Sequence, residues 1–422
     1  MDMKTARYNK TKFDLSISLV SIVCIMFLSG CLNIPLGNKP IVILDPVQDT
    51  ISVGNIVLLN AAKSDFAGGD TLIYIWDADL DNPVKFRMGN KEKVYLGFVN
   101  EGTYNFNLTI SNGNFQSKTE KIKINVVSTQ SELKTILDPS LEVQIRYNIS
   151  KNIDRITNED LLHVDSVMLF VNTKSKIQSL NGIENCRNIR FLSLWNQNVS
   201  EITQINRLSN LVELSLSQNW NVVDVSPLNN LSNLKKLDLQ SNSINDITAL
   251  GTLVNLEYLN VMENPINNFS PLANLVKLKE LWIDYSNCDE IEFVRELDSL
   301  SLFWMTVCGI HDISSLENKH SIKRLNLDRN SISEIGILEN LLNLETVYLG
   351  YNNIEDVSSL EGLVNINHLR LVDNNIQDIK PLVNNSGLTE GDCLEIGSNP
   401  LSEKSLNEYI PSLIARGVKV YY

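Results

Sequence analysis

The chain is poor in the residues from which simple active sites are built. It has four histidines in 422 residues, His163, His311, His320 and His368, and no pair has HExxH spacing. That argues against a histidine-rich metal site. No nucleophile–histidine–acid grouping recurs either, so acyl-transfer chemistry has no visible constellation. Basic charge is short: 36 Lys and Arg face 50 Asp and Glu, a formal net charge of −14. So acidic a surface argues against nucleic acid as a partner. A long apolar run is also missing. The stretch from Leu15 to Leu28, about 14 residues at 1.5 Å rise, reaches about 21 Å, short of a ~30 Å hydrocarbon core. What remains is globular: 43% hydrophobic and 20% charged, in a chain long enough for two or three domains.

The apolar stretch follows Lys4, Arg7, Lys10 and Lys12, the charged-then-apolar layout of an export signal. It ends Leu28-Ser29-Gly30-Cys31, which resembles the bacterial lipobox. That resemblance implies cleavage before Cys31, a diacylglycerol on its thiol, and a protein anchored to the outer membrane or cell surface by lipid. An ordinary signal peptide cut elsewhere and a short membrane helix are the alternatives. Removing residues 1–30 takes away four basic and two acidic residues and leaves −16. A body so acidic is repelled by anionic membranes, so lipid rather than a basic patch must hold it there. Residues 31–39 then form a linker.

Residues 40–127 alternate apolar and polar positions between Gly and Asn turns. Tyr104, Phe106, Leu108 and Ile110 form one such run, and Ile122, Ile124 and Val126 another. Period-two alternation predicts half-buried antiparallel strands, and about seven of them make a β-sandwich. Tyr74-Ile-Trp76-Asp77 and Gly102-Thr-Tyr104 through Asn112-Gly113 resemble the PKD family of immunoglobulin-like domains, which implies a spacer. Trp76 is expected in the sandwich core. Asp77, Asp79 and Asp81 lack the Gly and Glu of a calcium loop and read as a solvated acidic turn.

A repeat dominates the rest. The last apolar residue of an apolar-x-x-apolar-x-apolar unit falls at Leu169, Leu194, Leu216, Leu239, Val261, Ile283, Met305, Leu327, Leu349, Leu371 and Ile396. Seven of the ten steps are 22 residues, one is 23 and two are 25. One copy cannot bury its own leucine row, so copies must stack, each adding a strand to a parallel sheet. Eleven strands at ~4.8 Å give about 48 Å. After each strand comes an amide or small polar residue: Gln197, Asn219, Asn242, Asn264, Ser286, Cys308, Asn330, Asn352, Asn374 and Asn399. An inward Asn can satisfy turn backbone groups in its own and a neighbouring layer. The ladder should loosen at Ser286 and Cys308, and the extra residue near Trp220 should bulge its turn.

Asn352-Asn-Ile354-Glu-Asp-Val357-Ser-Ser-Leu360 and Asn374-Asn-Ile376-Gln-Asp-Ile379-Lys-Pro-Leu382 resemble the 22-residue leucine-rich repeats of the internalin-like group. The fold class this implies is a leucine-rich-repeat solenoid, a curved parallel β-sheet with short convex turns and 3-10 segments. The resemblance also implies a helical N-terminal cap over 131–166, repeats over 167–401 and a C-terminal cap over 402–422. Thr157 or Asn158 would cap the short helix before Leu161.

A ligand would meet the residues flanking the strand leucines. Those singled out as a protein-binding strip are Trp195, Tyr258, Trp282, Asp284, Tyr285, Trp304, Arg324, Asp328, Tyr348, Tyr351 and Arg370. Exposed aromatics and Arg dominate interface hot spots. The plainer alternative is that the aromatics only cover one another. Sugar binding through Trp282, Tyr285 and Trp304, and a structural envelope role, are further readings. Asp284 and Asp328 share a position two layers apart, about 10 Å, near the carboxyl spacing of inverting glycosidases. The face is open, however, with nothing in the sequence to desolvate one acid. We therefore expect a non-enzymatic monomer that takes no metal or cofactor and binds a protein partner, with adhesion as the role the resemblance implies. Cys186, Cys288, Cys308 and Cys393 are expected as buried thiols, with one Cys288–Cys308 disulfide open after export.

Overall fold

The computed structural model describes residues 40–66, 71–78, 91–98, 100–113, 116–117, 119–127, 136, 138–150, 156–169, 175–286 and 288–422. The leader, Cys31, Asp79 and Asp81 lie outside the described residues.

Residues 40–127 hold two sheets over one core. β1 (Thr50–Ser52), β6 (Glu120–Val127), β5 (Gly102–Ser111) and β3 (Ile73–Ala78) lie in that order, and β2 (Ile56–Asn60) pairs with β4 (Lys93–Gly97). β1 runs parallel to β6 and the other pairs are antiparallel. The alternating residues Tyr104, Phe106, Leu108 and Ile110 are all buried, as are Ile122, Ile124 and Val126. Trp76 is buried too, and its indole Nε1 donates to Lys91 O at 2.9 Å.

Two helices follow, α1 (Pro139–Asn148) and α2 (Asn158–Leu161). Asp138 caps α1: its Oδ1 accepts from Ser140 N at 2.8 Å and Leu141 N at 3.1 Å. Its Oδ2 accepts from Gln178 N at 2.8 Å and Ser179 N at 3.0 Å, tying the helix to the first repeat. Thr157 caps α2 in a reciprocal box with Asp160. The β body packs directly against α1. Ile56 and Val143 are buried together, and Tyr95 meets Tyr147 edge-on at 5.0 Å. Gly97 permits this approach, since a Cβ there would lie 2.1 Å from Val143 Cγ1.

The repeats form one twelve-stranded parallel sheet, from β7 (Ser166–Val167) to β18 (Lys419–Tyr421). Eleven strands were expected. The twelfth comes from the C-terminal segment, which forms a helical stretch over Ser405–Ala415 and then returns to pair with β17 (Cys393–Glu395). Between most strands the chain crosses back in 3-10 turns of three or five residues; before β17 (Cys393–Glu395) the crossing is a short α-helix, Lys380–Asn384. The strand leucines and the turn residues Ile, Val and Leu fill one core that runs from Ile136 to Val418.

Ten of the twelve strands are followed, within one to three residues, by a left-handed residue, and none of the ten is glycine. Asn196, Gln218, Ser241, Glu263, Tyr285, Val307, Arg329, Tyr351, Asp373 and Ser398 have φ between 51° and 59°. This conformation costs an L residue on the order of 1 kcal/mol. The next residue, the ladder position, offsets it. Asn352 Nδ2 donates to Leu327 O and Leu349 O at 3.0 Å, and its Oδ1 accepts from Ile332 N at 3.0 Å. Asn219, Asn264, Asn330, Asn374 and Asn399 repeat the pattern.

The 23-residue step is absorbed at Trp220, a second left-handed residue (φ 57°) in the same turn. Asn242 in the next layer keeps its donor bonds, but its buried Oδ1 has no partner. The expected loosening at Ser286 and Cys308 takes a different form. Ser286 Oγ lies 3.0 Å from Cys308 Sγ, which itself lies 3.0 Å from Thr306 O. Here β12 (Glu280–Asp284) and β13 (Leu302–Thr306) pair over five residues, against three for most neighbours. Longer backbone pairing replaces the missing amide bonds.

Candidate functional site: the open face of the sheet

Alternation along each strand sends one row into the core and leaves the next on the open face. Leu281 and Ile283 are fully buried while Trp282 between them is half-exposed. Pairing in register stacks equivalent outward residues into columns. One column reads Ser215, Asp238, Asn260, Trp282, Trp304, Asn326, Tyr348, Arg370 and Glu395. The column two residues earlier contains Glu213, Lys236, Tyr258, Glu280, Arg324, His368 and Cys393.

The C-terminal half of this face is aromatic. Trp282 and Trp304 stack at 4.9 Å with their planes 25° apart. Trp304 meets Tyr348 edge-on at 6.2 Å, leaning across the smaller Asn326 between them. Tyr348 in turn meets His368 at 5.0 Å. Trp282 and Tyr348 therefore share one side of the sheet. A hollow of about 230 Å³ lies among Trp282, Trp304, Arg324, Asn326, Thr346 and Tyr348. Trp282 Nε1 is buried and has no hydrogen-bond partner among the described residues. Burial pushes the Tyr348 hydroxyl above its ordinary value.

Beside the aromatics runs a charged network. Arg370 donates through Nη1 to Asp328 Oδ2, and its Nε stands 3.2 Å from Glu395 Oε2. Asp328 Oδ1 also accepts from Gly350 N at 2.6 Å. Asp284 accepts from Thr306 Oγ1 at 2.5 Å and from Tyr285 N at 2.9 Å. Both aspartates are buried, and burial raises both carboxyls above their ordinary value; Arg370 opposes the rise at Asp328. The desolvation invisible in the sequence is therefore present. Both acids are already engaged, however, and Thr306 stands in register with Asp284 between their strands.

The N-terminal half is a charged groove of about 550 Å³. Tyr258 is on its wall, half-buried, with burial raising its hydroxyl. Lys279 Nζ lies 2.6 Å from Glu257 Oε2, Lys235 lies 3.3 Å from the same carboxylate, and Lys236 lies 3.3 Å from Glu213. Lys279 before Lys235 holds the Glu257 carboxyl below its ordinary value. The sequence reading passed over Lys236, Glu257 and Lys279; the register of their columns was the signal that could have found them.

Of the eleven residues singled out, Trp282, Trp304, Arg324 and Tyr348 line one hollow, and Asp328 and Arg370 form the network beside it. Tyr285 and Tyr351 stand apart, on the left-handed turn positions at the sheet's lip. Tyr285 is 63% exposed, while Tyr351 lies under Arg329 at 4.1 Å and Arg370 at 5.5 Å. Trp195 is 51% exposed just past β8 (Phe191–Ser193), four layers from Trp282. Cys186, Cys288 and Cys308 are buried free thiols. Cys393 is not buried as expected: it faces outward on β17, half-exposed, because its neighbour Leu394 takes the inward position. Burial and then Glu395 raise its thiol above the ordinary value.

A parallel sheet, short 3-10 crossings and an asparagine ladder define a leucine-rich-repeat solenoid. The family model for leucine-rich repeats in two copies matches residues 209–252 and 320–362. Among solved structures the chain is similar to an internalin, InlF, of Listeria monocytogenes: 26% identity, TM-score 0.56, covering 66% of this chain and 89% of that one. It also aligns with internalin C2 of the same organism, at 25% identity and TM-score 0.38, over 65% of this chain and 100% of that one. No curated protein matches the chain. The fold is therefore a leucine-rich-repeat solenoid, similar to that of the internalin InlF. Among the described residues no helix is long and apolar enough to cross a membrane.

Proposed function

We propose that this is an exported recognition protein that binds a protein partner through the open face of its repeats, centred on Trp282, Trp304, Arg324 and Tyr348. The observation that carries the reading is the aromatic hollow itself. Three large rings remain half-exposed on a rigid sheet, with a buried Trp282 Nε1 that lacks an acceptor and Arg324 at the rim. Rigid aromatics with an adjacent Arg supply contact area at small entropic cost, which is the make-up of a hot spot. The engaged state of Asp284 and Asp328 supports a non-enzymatic role.

In this reading Cys31 carries the lipid, residues 40–127 form a PKD-like spacer, and residues 131–166 and 402–422 cap the solenoid. The spacer packs on the cap through Ile56, Val143, Tyr95 and Tyr147, so it would hold the repeats at a set angle to the membrane. Adhesion is the role the internalin likeness supports. The test is a pull-down from candidate surface proteins with residues 32–422 and with its Trp282→Ser/Trp304→Ser variant. One partner retained by the first and lost by the second is the expected result. Equal capture by both would sink the assignment. Calorimetric binding of cell-wall glycan fragments in place of any protein would replace it with a sugar platform.

A further inference from the structure

Beyond partner binding, we infer a zinc site on the open face, formed by His368, Cys393 and Glu395. Metal-ligand spacing is absent from the sequence because the site is made by strand pairing. β16 (His368–Arg370) and β17 are parallel neighbours, with His368 directly opposite Cys393 and Arg370 opposite Glu395. Cys393 and Glu395 are two residues apart, so they share a face of β17. His368 Nε2 lies 2.9 Å from Glu395 Oε1, and one ligand atom from each of the three residues lies within 4.8 Å of the others. Tetrahedral Zn²⁺, with bonds of about 2.0–2.3 Å, sets its ligand atoms about 3.5 Å apart. The widest pair therefore has to close by no more than about 1.3 Å.

The donor set selects the metal. Thiolate and imidazole suit Zn²⁺ and disfavour Mg²⁺ and Ca²⁺, which demand oxygen ligands. One thiolate and one carboxylate neutralise a divalent charge. Three protein ligands leave the fourth position to water, on a side that is half-exposed.

The surroundings orient the ligands as the outer shell of a zinc site does. Tyr348 Oη lies 3.2 Å from His368 Nδ1 and can hydrogen-bond it, while Arg370 Nε stands 3.2 Å from Glu395 Oε2 as an ion pair without a hydrogen bond. Without metal, the carboxylate can only accept, so Nε2 carries the proton and Nδ1 accepts from the tyrosine. On binding, Zn²⁺ takes the Nε2 lone pair, the imidazole proton moves to Nδ1 and is donated to Tyr348 Oη, and the Cys393 thiol proton leaves to solvent. The balance is one proton released per metal bound. Two positive charges oppose a cation here: Lys419, in register with Cys393 on the far side, and Arg370, whose Nε stands 3.2 Å from Glu395 Oε2.

The experiment uses the untagged full chain in detergent, stripped with chelator. It is titrated with Zn²⁺ against a chromophoric chelator, and with Co²⁺ while the absorption spectrum is followed. We expect one Zn²⁺ per chain, at least tenfold weaker in His368→Asn, Cys393→Ser and Glu395→Gln, and a Co²⁺ thiolate charge-transfer band lost in Cys393→Ser. Because a variant could unfold, circular dichroism accompanies each. In addition, alkylation of Cys393, resolved by mass spectrometry, should slow with Zn²⁺ in the parent and not in His368→Asn. Affinity unchanged by all three substitutions, no Zn²⁺ bound by the parent, or Cys393 alkylated at the same rate with and without Zn²⁺ would overturn the site.

Discussion

The two halves of the open face share one backbone and differ in what their outward columns carry. Around Glu213, Lys236, Glu257 and Lys279 the face is an exposed lattice of ion pairs. From Trp282 to Glu395 it is a chain of rings and a buried carboxylate–guanidinium network. Exposed ion pairs contribute about 0–1 kcal/mol, are screened by salt and reform with any partner. Half-buried rings lose water on contact and do not readily rearrange. Equal exposure therefore does not mean equal readiness to bind, and specificity should reside in the second half.

The sharpest test of that division is capture of the partner. Trp282→Ser with Trp304→Ser should weaken it by roughly thirtyfold or more, the scale of a hot-spot loss of ≥ 2 kcal/mol. Lys236→Glu with Lys279→Glu should change it less than threefold at physiological salt. Surface plasmon resonance separates these outcomes, and the reverse order would break the comparison.

A second difference lies beneath the face. Asn352→Ala removes an acceptor from Ile332 N and a donor from two buried carbonyls. It should cost roughly 3 kcal/mol or more, at about 1–3 kcal/mol for each of the three buried groups left unpaired. Asn242→Ala should cost about 1 kcal/mol less, since its Oδ1 is already unpartnered beside the Trp220 bulge. Urea melts of the two variants would show the ordering; equal losses would mean the bulge carries no energetic penalty.

Arg370→Ala tests the buried network. It leaves Asp328 buried without its bonded guanidinium and with only the weaker charge of Arg329 nearby, at a cost of about 2–3 kcal/mol, below the 3–5 kcal/mol of a fully buried pair because Arg370 is partly exposed. Burial already raises the Asp328 carboxyl and Arg370 holds it down, so the variant's folded value rises further. A folded value above the unfolded one means that the folded state binds more protons in the window between them. The deficit should therefore be largest near pH 7 and shrink as pH falls through that raised value, a trend that thermal melts from pH 7 to 4.5 would follow. The smallest effect belongs to Lys279→Ala. Loss of its pairing with Glu257 should cost about 0–1 kcal/mol and vanish in high salt. A larger, salt-insensitive loss would make the charged half as structural as the aromatic one.

Much of this was legible from residues. The 22-residue period, the inward leucines and the ladder of Asn219, Asn264 and Asn352 are one-dimensional signals, because each layer touches only its neighbours. Trp282 and Trp304 could be paired from the same arithmetic. The twelfth strand escaped, since Lys419–Tyr421 follows a helical stretch and carries no repeat motif. The burial of Asp284 and Asp328 escaped too, since it depends on Thr306, Gly350 and Arg370 arriving from other layers. Tyr285 and Tyr351 were read as strand neighbours of Trp282 and Tyr348; the left-handed turn carries them to the lip instead.

The layer is written in the residues, in its length, its inward row and its ladder residue, because these are set by local alternation and by backbone groups that a side chain a fixed distance away must satisfy. What stands across from what is settled by the pairing of the strands. His368 meets Cys393 and Trp282 meets Trp304 because parallel pairing converts a separation of 22 or 25 residues into about 4.8 Å. Burial, charge and chemistry on the open face follow from that spacing.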